Sequence, residues 1–122
     1  EIQVLDGAID ISDGTGSVSL GNTTVGVPVG KTFTVRNTGT GNLTLIEPIA
    51  VPAGFGVASS FGSLTLAPGN STTFVIQLNA TAVGTYGGTL QFSNNDGDES
   101  PFSFAIRGTV YHRVYLPLVI GP

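Results

Sequence analysis

The chain contains no cysteine, methionine or tryptophan. Disulfide scaffolding, thiolate metal sites and sulfur redox chemistry are thereby excluded. A single histidine, His112, argues against both a multi-histidine metal centre and a histidine-based catalytic triad. Charge is scarce as well: charged residues make up 10% of the sequence, against about 25% in an average soluble domain. The cations are Lys31, Arg36, Arg107 and Arg113, and the net charge is −4. No basic stripe for nucleic acid can be built from four such residues. No apolar run approaches the roughly 20 residues that cross a bilayer as a helix. The opening residues, EIQVLDG, carry neither a basic n-region nor an apolar h-region. The expectation is therefore a chain from which any signal peptide has been removed, placed outside the cell or on its surface.

What is present is glycine, threonine, serine, asparagine and a steady supply of apolar residues. The 122 residues suit one domain, and 40% of them are hydrophobic, enough to build a core. Apolar residues do not recur at helical spacing without a Gly or Pro intervening. They alternate instead. Phe33 and Val35 share one face of residues 31–36 while Thr32, Thr34 and Arg36 share the other. Residues 72–79 repeat this with Phe74, Ile76 and Leu78; residues 85–92 with Tyr86, Leu90 and Phe92; residues 101–106 with Phe102, Phe104 and Ile106. Shorter alternating segments lie at 2–5, 8–11, 16–20, 42–46, 55–58 and 63–66. One apolar and one Thr/Ser/Gln face is the pattern of an antiparallel sheet with one wet side. Turn residues punctuate the segments at Asn37–Asn42, Ala67–Asn70 and Asn94–Asp98, where Gly supplies positive φ and Asn and Asp bond their own backbone. The pattern predicts an all-β, immunoglobulin-like antiparallel β-sandwich of about seven to nine strands.

The pieces FTVRNTGTGNLTL, LAPGNSTTF and FSNNDGDESPFSFAIRGTV make residues 1–110 resemble the choice-of-anchor D group of immunoglobulin-like domains. That group is related to the Hydin-like (ASH) and PapD-like sandwiches. The resemblance implies a surface module, often found in tandem, with no catalytic activity and no cofactor.

Residues 111–122 depart from that pattern. From Val114 to Ile120 every residue is apolar or aromatic, a sticky ribbon if left in water. Val114, Leu116, Leu118 and Ile120 share one strand parity; Tyr115, Pro117 and Val119 share the other. Three destinations are open to this tail. It could return to its own sandwich as an extra strand, be the remnant of an anchoring signal, or add a strand to a neighbouring copy. Burying four aliphatic side chains is worth roughly 6–12 kcal/mol, comparable to the estimated 4–15 kcal/mol cost of association. Ladder hydrogen bonds would then tip the balance. Pro117 lacks an N–H, so that position must point away from a ladder partner. The favoured expectation is an extracellular filament or sheath subunit that polymerises by strand donation, other copies of itself being its partners. The alternative is a monomeric adhesion or carbohydrate-binding module of a larger surface protein.

Asn22, Asn42, Asn70 and Asn79 each begin an N-glycosylation sequon, so attached glycans are a further expectation. Acidic residues gather at Asp6, Asp10 and Asp13, and at Asp96, Asp98 and Glu99. The second group could supply oxygens to calcium, but turn capping is the simpler role for Asn and Asp in a hairpin. Without tryptophan there is no sugar platform to make these carboxylates a glycosidase pair.

Overall fold

The computed structural model describes residues 1–112. Ten strands follow one another: β1 (Ile2–Asp6), β2 (Ile9–Ile11), β3 (Ser17–Thr24), β4 (Val29–Asn37), β5 (Leu43–Ala50), β6 (Phe55–Ser59), β7 (Thr65–Leu66), β8 (Ser71–Leu78), β9 (Gly84–Asn94) and β10 (Phe102–Tyr111). Each alternating segment of the sequence is found as a strand. The count exceeds seven to nine because the shortest segments, β2 and β7, also pair.

Two five-stranded sheets result, with orders β2-β1-β4-β8-β6 and β3-β10-β9-β5-β7. Pairing is antiparallel with one exception: β3 runs parallel to β10. The chain leaves the first sheet after β2, crosses through Ser12–Gly16 and enters the second sheet beside its last strand. Asp13 accepts the Ser103 N–H through Oδ1 at 2.9 Å, and Gly14 donates to the Ser103 carbonyl at 2.8 Å. These two bonds dock the crossing onto β10. β3 also continues past Leu20, where the alternation stops. A register shift opposite Arg107 and Thr109 lets the polar run Asn22–Thr24 pair with Thr109–Tyr111.

The inward parity of every long strand supplies the core. Phe33 and Phe74 stack at 5.2 Å in the first sheet, and Phe92 and Phe102 stack at 5.9 Å in the second. Phe33 meets Phe104 across the gap at 5.4 Å, and Phe74 meets Phe92 at 5.9 Å. Phe61, from the β6–β7 loop, presses edge-on against both Phe74 and Phe92. Edge-to-face and offset pairs of this kind add to the burial energy of each ring. Within β10 the inward set is Phe102, Phe104, Ile106, Gly108 and Val110. Glycine interrupts it because the Leu78 side chain fills the space a Cβ would take at Gly108. Both ends of the set, Phe102 and Val110, are buried, and the next residue, Tyr111, is exposed.

Candidate functional site

Two surface regions concentrate the chemistry of the described residues: an acidic groove at one pole, and the lateral edge where β2 faces β3. The pole is built by asparagines. Asn94 Nδ2 donates to the Glu99 carbonyl at 2.9 Å, and its Oδ1 accepts the Asp96 N–H at 2.7 Å. Asn95 grips the next loop: its Oδ1 accepts the Thr44 N–H at 2.9 Å and its Nδ2 donates to the Asn42 carbonyl at 3.1 Å. The Asn94–Asp98 turn is thereby fixed, as local side-chain-to-backbone bonding predicts for these residues.

This frame brings Glu1, Asp96 and Glu99 together, with carboxylate oxygens within 4.8 Å of one another. Glu1 and Glu99 border a groove of about 260 Å³ that Asp10, Asp13 and Thr38 also line. Asp98, grouped with Asp96 and Glu99 in the sequence, is exposed and stands outside the trio. Asp96 works on the backbone: Oδ2 accepts the Ile2 N–H at 3.1 Å and Oδ1 accepts the Asp98 N–H at 3.2 Å. One carboxylate thus ties β1 to the turn before β10. Asp6, of the other acidic group, pairs with Lys31 at 3.3 Å across β1 and β4.

Burial pushes the Glu99 carboxyl up to about 7, aided by a hydrogen bond and charge from Glu1 and by the charges of Asp96 and Asp13. A carboxyl raised in the folded state favours folding while it is protonated, and that contribution is lost as pH rises through the folded value. Partial solvation of the group screens the effect. The midpoint of thermal unfolding is therefore expected to fall between pH 5 and pH 8, and Glu99→Gln to flatten that slope. Calorimetry of both proteins across the range tests this; parallel slopes would show that Glu99 is not the titrating group.

The lateral edge has different character. A groove of about 250 Å³ runs between β2 and β3, lined by Ile9, Ile11, Ser17, Val18 and Ser19 with Asp6 and Asp10 at its side. Ile9 is 69% exposed there, the highest value among the large exposed apolar residues described.

Of the four sequon asparagines, Asn22, Asn42 and Asn70 are exposed, on β3, before β5 and before β8. Asn79 is half-buried; its Oδ1 faces Gly56 and accepts from Gln77 Nε2 at 3.4 Å. His112 is exposed just after β10. The assembly residues expected from sequence, Val114, Tyr115, Leu116, Leu118, Val119 and Ile120, lie outside the described residues. Sequence reasoning missed Glu1 as the third carboxylate of the pole and Ile9 as a groove residue. Sequence distance hid the first, since Glu1 and Glu99 meet only once β1 is docked. An isolated exposed apolar residue gives no signal of its own.

Similarity to known proteins bears on the fold. Residues 15–109 match the HYDIN/CFA65/VesB-like, Ig-like domain family. No curated protein matches. The VesB protease of Vibrio cholerae superposes with a TM-score of 0.58 at 23% identity, over 77% of this chain and 29% of that one. A human ASH/PapD-like domain, PapD-like domain 7 of CEP192, does so at 0.63 and 14%, over 93% and 87%. The secreted serine protease VesC of Vibrio cholerae gives 0.51 and 14%, over 75% and 21%. This chain therefore spans less than a third of either protease, and what it shares with them is one domain of a larger protein. With the family profile covering most of both sheets, the chain belongs to the HYDIN/CFA65/VesB-like family of immunoglobulin-like domains.

Proposed function

We propose that this chain is a non-catalytic, extracellular structural module that self-associates by giving residues 114–120 to a neighbouring copy as an added strand. The observation that carries this reading is that the described residues already form two five-stranded sheets over a buried core before the apolar run begins. Among them the last buried residue is Val110, and the family match ends at 109. β10 already has partners on both sides, β9 and β3. The run Val114–Ile120 lies beyond both β10 and the family match. An uncharged seven-residue ribbon is suited to strand addition, where the backbone ladder supplies affinity and alternate side chains fill pockets. A tail-to-body contact is heterologous, so copies joined this way extend into a filament unless the rotation closes a ring. Kinship with a domain of a secreted protease supports the extracellular setting, as does the scarcity of lysine and glutamate. Exposed Asn22, Asn42 and Asn70 are the positions at which glycans would be carried.

Deleting residues 113–122 tests the reading. Light scattering and negative-stain microscopy are expected to show polymers for the full chain and monomers for the truncated one. Polymers that survive the deletion, or a full chain that stays monomeric at high concentration, would refute it. The second result would favour a single adhesion module appended to a larger protein.

A further inference from the structure

Strand addition needs a free edge, and the four edges of the sandwich are unequal. β7 is two residues long and β2 three. β6 has five residues and an irregular register between Val57 and Ser59; short or bulged strands are common ways of blunting an edge. β3 is the longest of the four, although its own register with β10 shifts between Ser19 and Asn22. It has eight residues, Ser17–Thr24, without the lysine or proline that usually guards an edge. Its inward Val18 and Leu20 are buried while Ser17 and Ser19 face outward. On its β10 side the Ala105 N–H donates to the Gly16 carbonyl at 2.8 Å. Alternation of bonding sides along a strand then turns the Ser17 and Ser19 backbone groups to the open side. Beside that open side lies the groove containing exposed Ile9.

We propose that the edge of β3 left unpaired among the described residues, together with the groove it forms with β2, accepts residues 114–120 of a second copy of this chain. The inference rests on the strand-donation reading and adds the acceptor to it. Length agrees: seven extended residues span about 23 Å, and the eight residues of β3, less the one taken up by its register shift, span about the same. Pleat agrees also. If 114, 116, 118 and 120 bond to β3, Pro117 points away from it, where its missing N–H costs nothing.

A second copy, rather than the chain's own tail, follows from where β10 ends. Tyr111 pairs with Thr24, and its carbonyl accepts the Val25 N–H at 3.0 Å. The turn after β3 is closed by Val27 donating to Thr24 at 3.0 Å and Gly26 donating to Ala80 at 2.9 Å. To reach the outer side of β3, a chain leaving Tyr111 must shift sideways by two strand spacings, about 9.5 Å, and reverse direction round this turn. Three chain steps separate Tyr111 from Val114, about 10 Å at full extension. The sideways shift alone consumes them.

The absence of cysteine makes disulfide trapping a clean test. Full-length chains carrying Ser19→Cys are mixed with chains carrying either Leu118→Cys or Val119→Cys, one for each face of the donated strand, and oxidised. Each chain holds one thiol, so any 19–118 or 19–119 disulfide joins two molecules, and mass spectrometry separates it from homodimers. A disulfide requires Cβ atoms about 3.5–4.5 Å apart. The expected result is that one of these heterodimers exceeds either homodimer several-fold. Polymers that trap Val57→Cys on β6 instead of Ser19→Cys would overturn the β3 site while leaving strand donation intact. An intramolecular disulfide in a monomeric Ser19→Cys/Val119→Cys chain, or no association at all, would overturn both.

Discussion

Phe74→Ala is expected to cost about 3–5 kcal/mol of folding free energy, the usual range for removing a buried aromatic ring. Phe74 is 0% exposed and touches Phe33, Phe61 and Phe92. These rings come from its own sheet, from the β6–β7 loop and from the facing sheet, so one truncation loosens three parts of the core. The domain cannot collapse around the void, because its neighbours hang from ladders fixed by backbone hydrogen bonds. A domain of this size has about 5–15 kcal/mol of stability in all, so the variant loses a large fraction of it. Urea unfolding gives the measurement: the midpoint should fall sharply with little change in slope. Phe74→Leu, which keeps most of the volume, should lose much less. Equal losses for the two would mean that ring packing is not what the site contributes.

Asn37→Ala follows at about 2–4 kcal/mol, from hydrogen bonding rather than volume. Asn37 is buried at the end of β4. Its Nδ2 donates to the Gly41 carbonyl at 2.7 Å and the Leu66 carbonyl at 2.8 Å, and its Oδ1 accepts the Gly39 N–H at 3.0 Å. One side chain thus holds the β4–β5 turn and ties it to β7. Alanine leaves those groups without their partner, and the buried ones then carry the full desolvation penalty. Amide exchange should speed at Gly39 before it does in the core strands. Asn37→Asp sharpens the test: the carboxylate keeps the acceptor for Gly39 but faces two carbonyls with no proton to give. Its folded-state pKa is raised, so its stability should recover on acidification. An Asp variant as stable as the parent at neutral pH would show that the two donor bonds contribute nothing.

Several elements were legible in the sequence because side-chain parity is a local property. The alternations around Phe33, Phe74, Phe92 and Phe104 identified the buried faces, and all four rings meet in the core. The turn asparagines were legible too, since Asn94 and Asn95 bond backbone within or beside their own hairpin. Strand direction was not. A parallel and an antiparallel strand carry the same period-two pattern, so the one parallel pairing in the antiparallel sandwich, β3 on β10, was not readable from it. The neighbour that Asp96 and Glu99 acquire was hidden for a similar reason: Glu1, distant in sequence, comes to lie beside them, while Asp96 accepts from the backbone of β1.

Taken alone, the order of residues determined the fold class, the inward faces and the turns, because burial parity and turn conformation are set by neighbours a few positions apart. Only the tertiary structure decided which of the described strands lie at the edges, that β3 is the longest of these, and that burial beside Glu1 pushes the Glu99 carboxyl up. Those properties depend on which segments distant in sequence come to lie side by side, and that is settled by how two sheets close over a shared core.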